Sequence, residues 1–181
     1  VKFFHLAQQN NPNLIDVLFT PTNCIQECTE IGKLILDNKE IFPHKGLFYR
    51  FSGYAYAQLR KIRTKVPVGK RVEIIDEYGY DVKFAYHLVR LLNEAEQLLE
   101  TGTMDLCKDA NIYKDVRSGK WSKRDVEIYF VDKEKKIKEL YNTSKLPHSP
   151  RPEIRQLLIK CLKLKFNTDI ELLKYLDYID K

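Results

Sequence analysis

The chain has 181 residues, 44% of them hydrophobic and 12% aromatic, which suits one domain with a sizeable core, with or without an appendage. Its net charge of +6 permits a polyanionic partner, although lysines spread over most of the chain favour an ordinary solvated basic surface. No apolar run of membrane-spanning length and no signal-peptide pattern occur, so we exclude a membrane-embedded protein and expect a cytoplasmic one without a membrane partner.

Apolar spacing and capping residues predict a succession of helices. In chain order they cover residues 3–9, 13–19, 24–37, 46–63, 71–77, 81–100, 110–117, 123–141, 152–166 and 169–179. No alternating strand of convincing length interrupts them, so we predict an all-α fold, an irregular multi-helix bundle with a central amphipathic helix near 81–100. We expect a helical domain over residues 1–166 and a helical appendage over residues 167–181.

Four cysteines are present, and two of them, Cys24 and Cys28, are four residues apart. On the predicted helix over residues 24–37 these two would share one face. A zinc site needs further ligands at short spacing, and no histidine pairs with a cysteine. We therefore expect free thiols in a reducing compartment and no metal bound by this chain.

The predicted helix over residues 46–63 carries two polar features beside its apolar face. Tyr54, Gln58 and Lys61 form a stripe that either packs between helices or presents a ring for stacking and polar groups for a nucleotide. Its end is the most basic local cluster of the chain, weakly typical of a nucleic-acid-binding surface. The cluster contains Arg60, Lys61, Arg63 and Lys65.

The helix over residues 81–100 has an apolar core face and, beside it, a polar stripe at the same spacing. The stripe consists of Lys83, His87, Arg90, Glu94 and Gln97. Its three basic members suit a phosphate site, because Arg and Lys neutralise phosphate oxygens. The alternative is a solvated helix edge on which Arg90 pairs with Glu94 and His87 is a core-edge histidine. On pattern alone, the helix edge is favoured.

Motifs that would identify a stand-alone enzyme are absent from the sequence. There is no Walker-type glycine loop, no GxGxxG, no Asp-x-Asp pair and no recognisable nucleophile–histidine signature.

Three segments nevertheless occur in an ordered combination. They are FFHLAQQNNPNLIDVLF at 3–19, FSGYAYAQLRKI at 51–62 and YDVKFAYHLVRLLNEAEQLLETG at 80–102. Together with Gly119 and the later Ser-Lys-Leu-Pro at 144–147, they resemble nucleotidyltransferases of the DNA polymerase beta superfamily. More narrowly, they resemble the RNA-repair-associated, often phage-encoded group, over residues 3–160.

The resemblance implies that catalysis and nucleotide contact belong to different parts of the full protein. The family's Gly-Ser motif and magnesium-binding carboxylates are missing here and would lie upstream of Val1, so we expect magnesium only with that catalytic half. The present chain would be the C-terminal helical part, whose Lys83, His87 and Arg90 face the nucleotide, with Tyr54, Gln58 and Lys61 nearby. The full family would transfer a nucleoside monophosphate to an RNA or other hydroxyl acceptor.

Two other hypotheses stay open. The chain is alternatively a non-enzymatic, phage-type interaction module that binds protein or nucleic acid through the basic cluster or the lysine-rich helix over residues 123–141. A lesser possibility is a protein that self-associates through exposed apolar faces.

Overall fold

The computed structural model describes residues 1–166, which form helices and connecting loops without a strand, and the all-α prediction is confirmed. Nine α-helices occur in this range: α1 Lys2–Gln8, α2 Pro12–Leu18, α3 Glu30–Leu36, α4 Leu47–Thr64, α5 Lys70–Tyr78, α6 Val82–Thr101, α7 Ala110–Arg117, α8 Lys123–Thr143 and α9 Glu153–Phe166. The predicted helix over residues 169–179 and the appendage over 167–181 lie outside the described residues.

The chain divides into two compact units. Within the described residues, one comprises Val1–Leu47 together with residues 146–166, and the other comprises Phe48–Lys145. The prediction of one helical domain over residues 1–166 stays a prediction. Of the helices in the described range, none is both long and apolar enough to cross a membrane.

In the first unit, α1 packs on α2 and α9, and α3 packs on α9. The turn between α1 and α2 is built locally. Asn10 adopts a positive φ of 52°, and the Asn11 side chain accepts a hydrogen bond from the Asn13 N–H. Pro12 occupies the first turn of α2, where its missing N–H costs nothing. The chain therefore breaks between the two helices that were predicted over residues 3–9 and 13–19, and the second begins one residue earlier than predicted.

The predicted helix over residues 24–37 is wrong in its first half. Thr29 is extended, and its hydroxyl accepts a 3.0 Å hydrogen bond from the Gly32 N–H, so α3 begins only at Glu30. Between α2 and α3, the chain forms a short 3₁₀ turn at Thr22–Cys24. Cys24 and Cys28 are exposed free thiols that do not share a helical face.

In the second unit, α6 is the central helix and packs along α8, α7 and α5. It begins where the Asp81 carboxylate accepts the N–H groups of Lys83 and Phe84, and it ends at Gly102, whose φ of 76° gives the left-handed cap. Most of its residues are buried. Because both caps are local in sequence, the predicted position of this helix is confirmed to within one residue.

Candidate phosphate-binding surface

Three cationic side chains from the end of α4 and the start of α5 converge on one ring of α6. The Phe84 ring is buried, and its centroid lies 5.4 Å from Lys61 Nζ, 5.3 Å from Lys65 Nζ and 4.2 Å from Arg71 Cζ. A cation over an aromatic face is attracted by the ring quadrupole, which helps to hold these mutually repelling charges in place. We call this group the Phe84 cation cluster.

Arg71 is anchored to the beginning of α6. Its guanidinium forms an ion pair with Asp81, the same buried carboxylate that caps the helix. A carboxylate is favoured at a helix N-terminus, and Arg71 adds a charge-assisted bond to it. The sequence does not indicate Arg71, because a pair formed across a turn by residues ten apart carries no periodic signal.

His87 lies on the exposed surface of α6, three residues after Phe84. Partial desolvation lowers the pKa of His87 below its ordinary value, and the positive charges of Arg90, Arg117, Arg71 and Lys61 lower it further. Those four side chains are therefore within electrostatic reach of one imidazole. A bound phosphate would oppose this effect and favour the protonated ring.

Arg117, at the end of α7, is a second residue that the sequence did not indicate. Its Cζ lies 5.2 Å from the centroid of the Tyr86 ring, and the Tyr86 and His87 rings are 5.2 Å apart. The aromatic ring of Tyr86 thus brings a cation from α7 beside the polar stripe of α6. No local pattern in the sequence relates the two helices.

The far end of the polar stripe is buried. Arg90 pairs with Glu94 at 3.3 Å, and the exposed fractions of their side chains are 18% and 2%. Gln97 is also buried, where its side chain binds the backbone N–H of Asp105 at 3.0 Å and the Asp105 carbonyl at 3.3 Å. The Arg90–Glu94 pair expected for a helix edge is confirmed, but a solvated edge is wrong for Glu94 and Gln97.

The remaining predicted residues do not all meet at His87. Tyr54 is 43% exposed, and Gln58 donates to the Tyr54 carbonyl within α4 at 3.5 Å. Arg63 forms a 2.8 Å ion pair with Glu127 of α8, which offsets part of its charge. Lys83 is half-buried on the first turn of α6.

An open groove lies along the last turns of α4, beside the Phe84 cation cluster. Its volume is about 410 Å³, and it is lined by Tyr56, Ala57, Arg60, Lys61, Thr64 and Lys65. Tyr56 is 58% exposed, so its ring is available for stacking. The groove joins two predicted nucleic-acid residues, Arg60 and Lys65, to the predicted nucleotide residue Lys61.

Among residues 1–166, no group of three or more His, Cys, Asp or Glu side chains is placed to hold a metal ion.

Comparison with known protein families gives a match over more than half of the chain. The sequence profile of the RNA repair pathway DNA polymerase beta family matches residues 1–117, which include α1 to α7. A search of curated proteins and a search of solved structures each find no match. The likeness expected between residues 118 and 160 stays an expectation.

Proposed function

The chain belongs to the RNA repair pathway DNA polymerase beta family, and from that membership we propose that it contacts nucleotide and RNA phosphates. In this proposal it is the helical part of a nucleotidyltransferase-like protein of the DNA polymerase beta superfamily. The full protein transfers a nucleoside monophosphate to an RNA or other hydroxyl acceptor. Magnesium-binding carboxylates of a catalytic half outside this sequence complete that reaction.

The observation that carries the proposal is the convergence of Lys61, Lys65 and Arg71 on Phe84, with His87 beside them. Beside this cluster, the Asp81 carboxylate offsets the charge of Arg71. The excess of positive charge on a partly desolvated surface suits a polyphosphate or an RNA backbone. Arg71 and Arg117, with planar guanidinium groups, would bind phosphate oxygens bidentately.

In the same proposal, several of the predicted residues have a defined role. Lys61 and Lys65 neutralise phosphates along the α4 groove, and Tyr56 stacks on a base. Lys83 and Arg90 flank His87 on α6 and complete the positive field. Tyr54 and Gln58 lie earlier on α4 and would touch only a ligand that extends beyond the groove.

Binding of a labelled single-stranded RNA, followed by fluorescence anisotropy at several salt concentrations, tests the proposal. The Lys61→Ala/Lys65→Ala variant should bind more weakly and show a salt slope reduced by about 2, one for each lost phosphate contact. Lys135→Ala/Lys138→Ala, which removes two exposed lysines of α8, is the matched control and should bind like wild type. Equal losses of RNA affinity in the two variants would mean that binding depends on the net charge of the chain and not on Lys61 and Lys65 in particular.

Catalysis is tested separately with labelled nucleoside triphosphates, RNA and magnesium. We expect this chain by itself to bind and to transfer nothing, since no Asp-x-Asp pair occurs in its sequence. Robust transfer would place the catalytic centre within these 181 residues and contradict the proposal that a separate catalytic half is needed.

A further inference from the structure

A second pocket of the Phe48–Lys145 unit has the opposite chemistry from the Phe84 cation cluster. Its volume is about 310 Å³, and its lining consists of Trp121, Asp125, Ile128, Tyr129 and Asp132. The four residues from α8 recur at steps of three and four, so they share one face of the helix. That face differs from the buried face of α8, which contains Val126, Phe130 and Ile137. We call this site the Trp121 pocket.

The aromatic walls of the Trp121 pocket are held by contacts to α6 and the segment before it. The Trp121 carbonyl accepts a 2.7 Å hydrogen bond from the Tyr80 hydroxyl, and the Tyr129 hydroxyl donates to buried Asn93. The two rings meet edge to face, with centroids 5.0 Å apart. The pocket is therefore built before any ligand arrives.

The loop that carries Trp121 is also held in place by close packing. Gly119 has a φ of 72°, which favours glycine, and a Cβ placed there would lie 2.1 Å from a carbon of the Tyr78 ring. Close packing of Tyr78 on this loop adds to the bond from Tyr80. Both tyrosines bracket the turn between α5 and α6, so two connecting loops brace each other beside the pocket.

The charge of the Trp121 pocket is negative, on a chain whose net charge is +6. Asp125 and Asp132 are exposed. Hydrogen bonds from the Ser122 hydroxyl and backbone, together with the charge of Arg124, lower the pKa of Asp125, so this carboxylate is ionised at neutral pH. Two carboxylates repel phosphate, whereas a cation gains from both the carboxylates and the aromatic faces.

The chain itself provides a precedent for a cation on one ring of this pair, that of Tyr129. Lys133 Nζ lies 5.4 Å from the centroid of the Tyr129 ring and is held there by an ion pair with Glu96. Lys133 does not line the Trp121 pocket, where Ile128 is 50% exposed. The pocket thus has acidic and aromatic groups, together with open apolar surface, available to a cation from outside.

We propose that the Trp121 pocket binds an arginine side chain of a basic peptide segment in a protein partner. Arginine fits better than lysine because its planar guanidinium stacks on an aromatic face while it donates bidentately to a carboxylate. A volume of about 310 Å³ accommodates one long side chain and is small for a larger ligand. This site is independent of the proposed nucleotide contacts.

The test uses the fluorescence of Trp121, which is the single tryptophan of the sequence. Titration with an alternating Gly-Arg peptide should change the emission saturably, whereas a Gly-Glu peptide of equal length should leave it unchanged. Asp132→Asn should weaken binding of the arginine peptide by roughly fivefold. Glu134→Gln removes one exposed charge of the same helix outside the pocket and should leave binding unchanged.

Three results would overturn the proposal. Equal weakening by Asp132→Asn and Glu134→Gln would mean general electrostatic attraction rather than a pocket. Equal affinity for a Gly-Lys peptide would remove the assignment of arginine. A change in Trp121 emission on adding single-stranded RNA, with the same sensitivity to Asp132→Asn, would assign the pocket to nucleic acid instead. A failure here leaves the RNA-binding test of Lys61 and Lys65 unaffected.

Discussion

The two halves of α6 share one polar stripe in sequence but have different surroundings in the structure. In the first half, Lys83 is half-buried and His87 is exposed, and His87 lies within electrostatic reach of Lys61 near the end of α4 and Arg71 at the start of α5. Glu94 and Gln97, in the second half, are buried, and the segment around Asp105 folds back onto Gln97. Residues at equal helical spacing thus remain accessible to a ligand at one end of α6 and are buried in the fold at the other, because different segments cover them.

Arg90 is the boundary between the two halves. Its side chain lies within electrostatic reach of His87, and the same guanidinium pairs with buried Glu94. A buried carboxylate without a cationic partner is strongly unfavourable, so Arg90 has a structural role whatever it contributes to binding. Substitutions along the stripe therefore separate stability from ligand binding.

The largest expected effect comes from Glu94→Gln. It keeps the size of the side chain but removes the charge that pairs with Arg90, and it should lower the free energy of unfolding by about 3 kcal/mol. Urea denaturation followed by circular dichroism measures this loss. Glu100→Gln, at an exposed position of α6, is the control and should change little. Equal stabilities of the two variants would mean that Glu94 has no structural role.

A smaller effect is expected for Gln97→Ala. The variant loses two hydrogen bonds to the backbone of Asp105 and should lower the free energy of unfolding by roughly 1.5 kcal/mol. Amide hydrogen exchange should show faster exchange at Asp105, because its N–H loses the Gln97 acceptor. Unchanged exchange at that amide would show that the segment is held by other contacts.

The sequence predicts α6 well because its signals are local. Asp81, Gly102 and the apolar spacing all lie within the helix or at its ends, and the two caps act through contacts of four residues or fewer. The start of α3 was misplaced since Thr29 lies inside the range predicted to be helical and carries the cap. Nothing in the pattern shows that this particular threonine begins a helix.

The candidate site was predictable only in part, for the same reason. Lys61 and His87 were expected near each other from the family resemblance, and the structure brings them within electrostatic reach. Arg71 and Arg117 come from α5 and α7, and their positions depend on Asp81 and Tyr86, which the chain brings near them only on folding. Helical periodicity on one element cannot indicate such contacts.

The pH dependence of stability gives a third, smaller test in the first half of α6. The pKa of His87 is lowered in the folded protein, so above its ordinary value of 6.5 the ring is neutral in both states and contributes nothing. As the pH falls through 6.5, the unfolded chain binds a proton first, and stability decreases until the pH passes the folded pKa. His87→Gln should therefore lose less stability than wild type between pH 7 and about 5.5.

A second histidine, His44, also changes stability with pH. The effect of His87 is therefore measured as the difference between the stability profiles of wild type and His87→Gln. Burial lowers the pKa of His44 as well, so it contributes a loss of the same sign in both proteins, and this loss cancels in the comparison. Inorganic phosphate should reduce the difference, since a bound anion raises the pKa of His87. Parallel pH profiles for wild type and His87→Gln would contradict the lowered pKa.

The smallest expected effect on stability belongs to Lys83→Ala. Lys83 is half-buried, and the capping contact of its residue uses the backbone N–H, which alanine retains. The free energy of unfolding should change by less than about 0.5 kcal/mol, whereas the salt slope of RNA binding should fall by about 1. Glu94→Gln should show the reverse pattern when assayed where it is still folded, with lost stability and a retained salt slope. If Lys83→Ala instead lowers stability and leaves the slope unchanged, the first half of the stripe is structural too, and the contrast within α6 disappears.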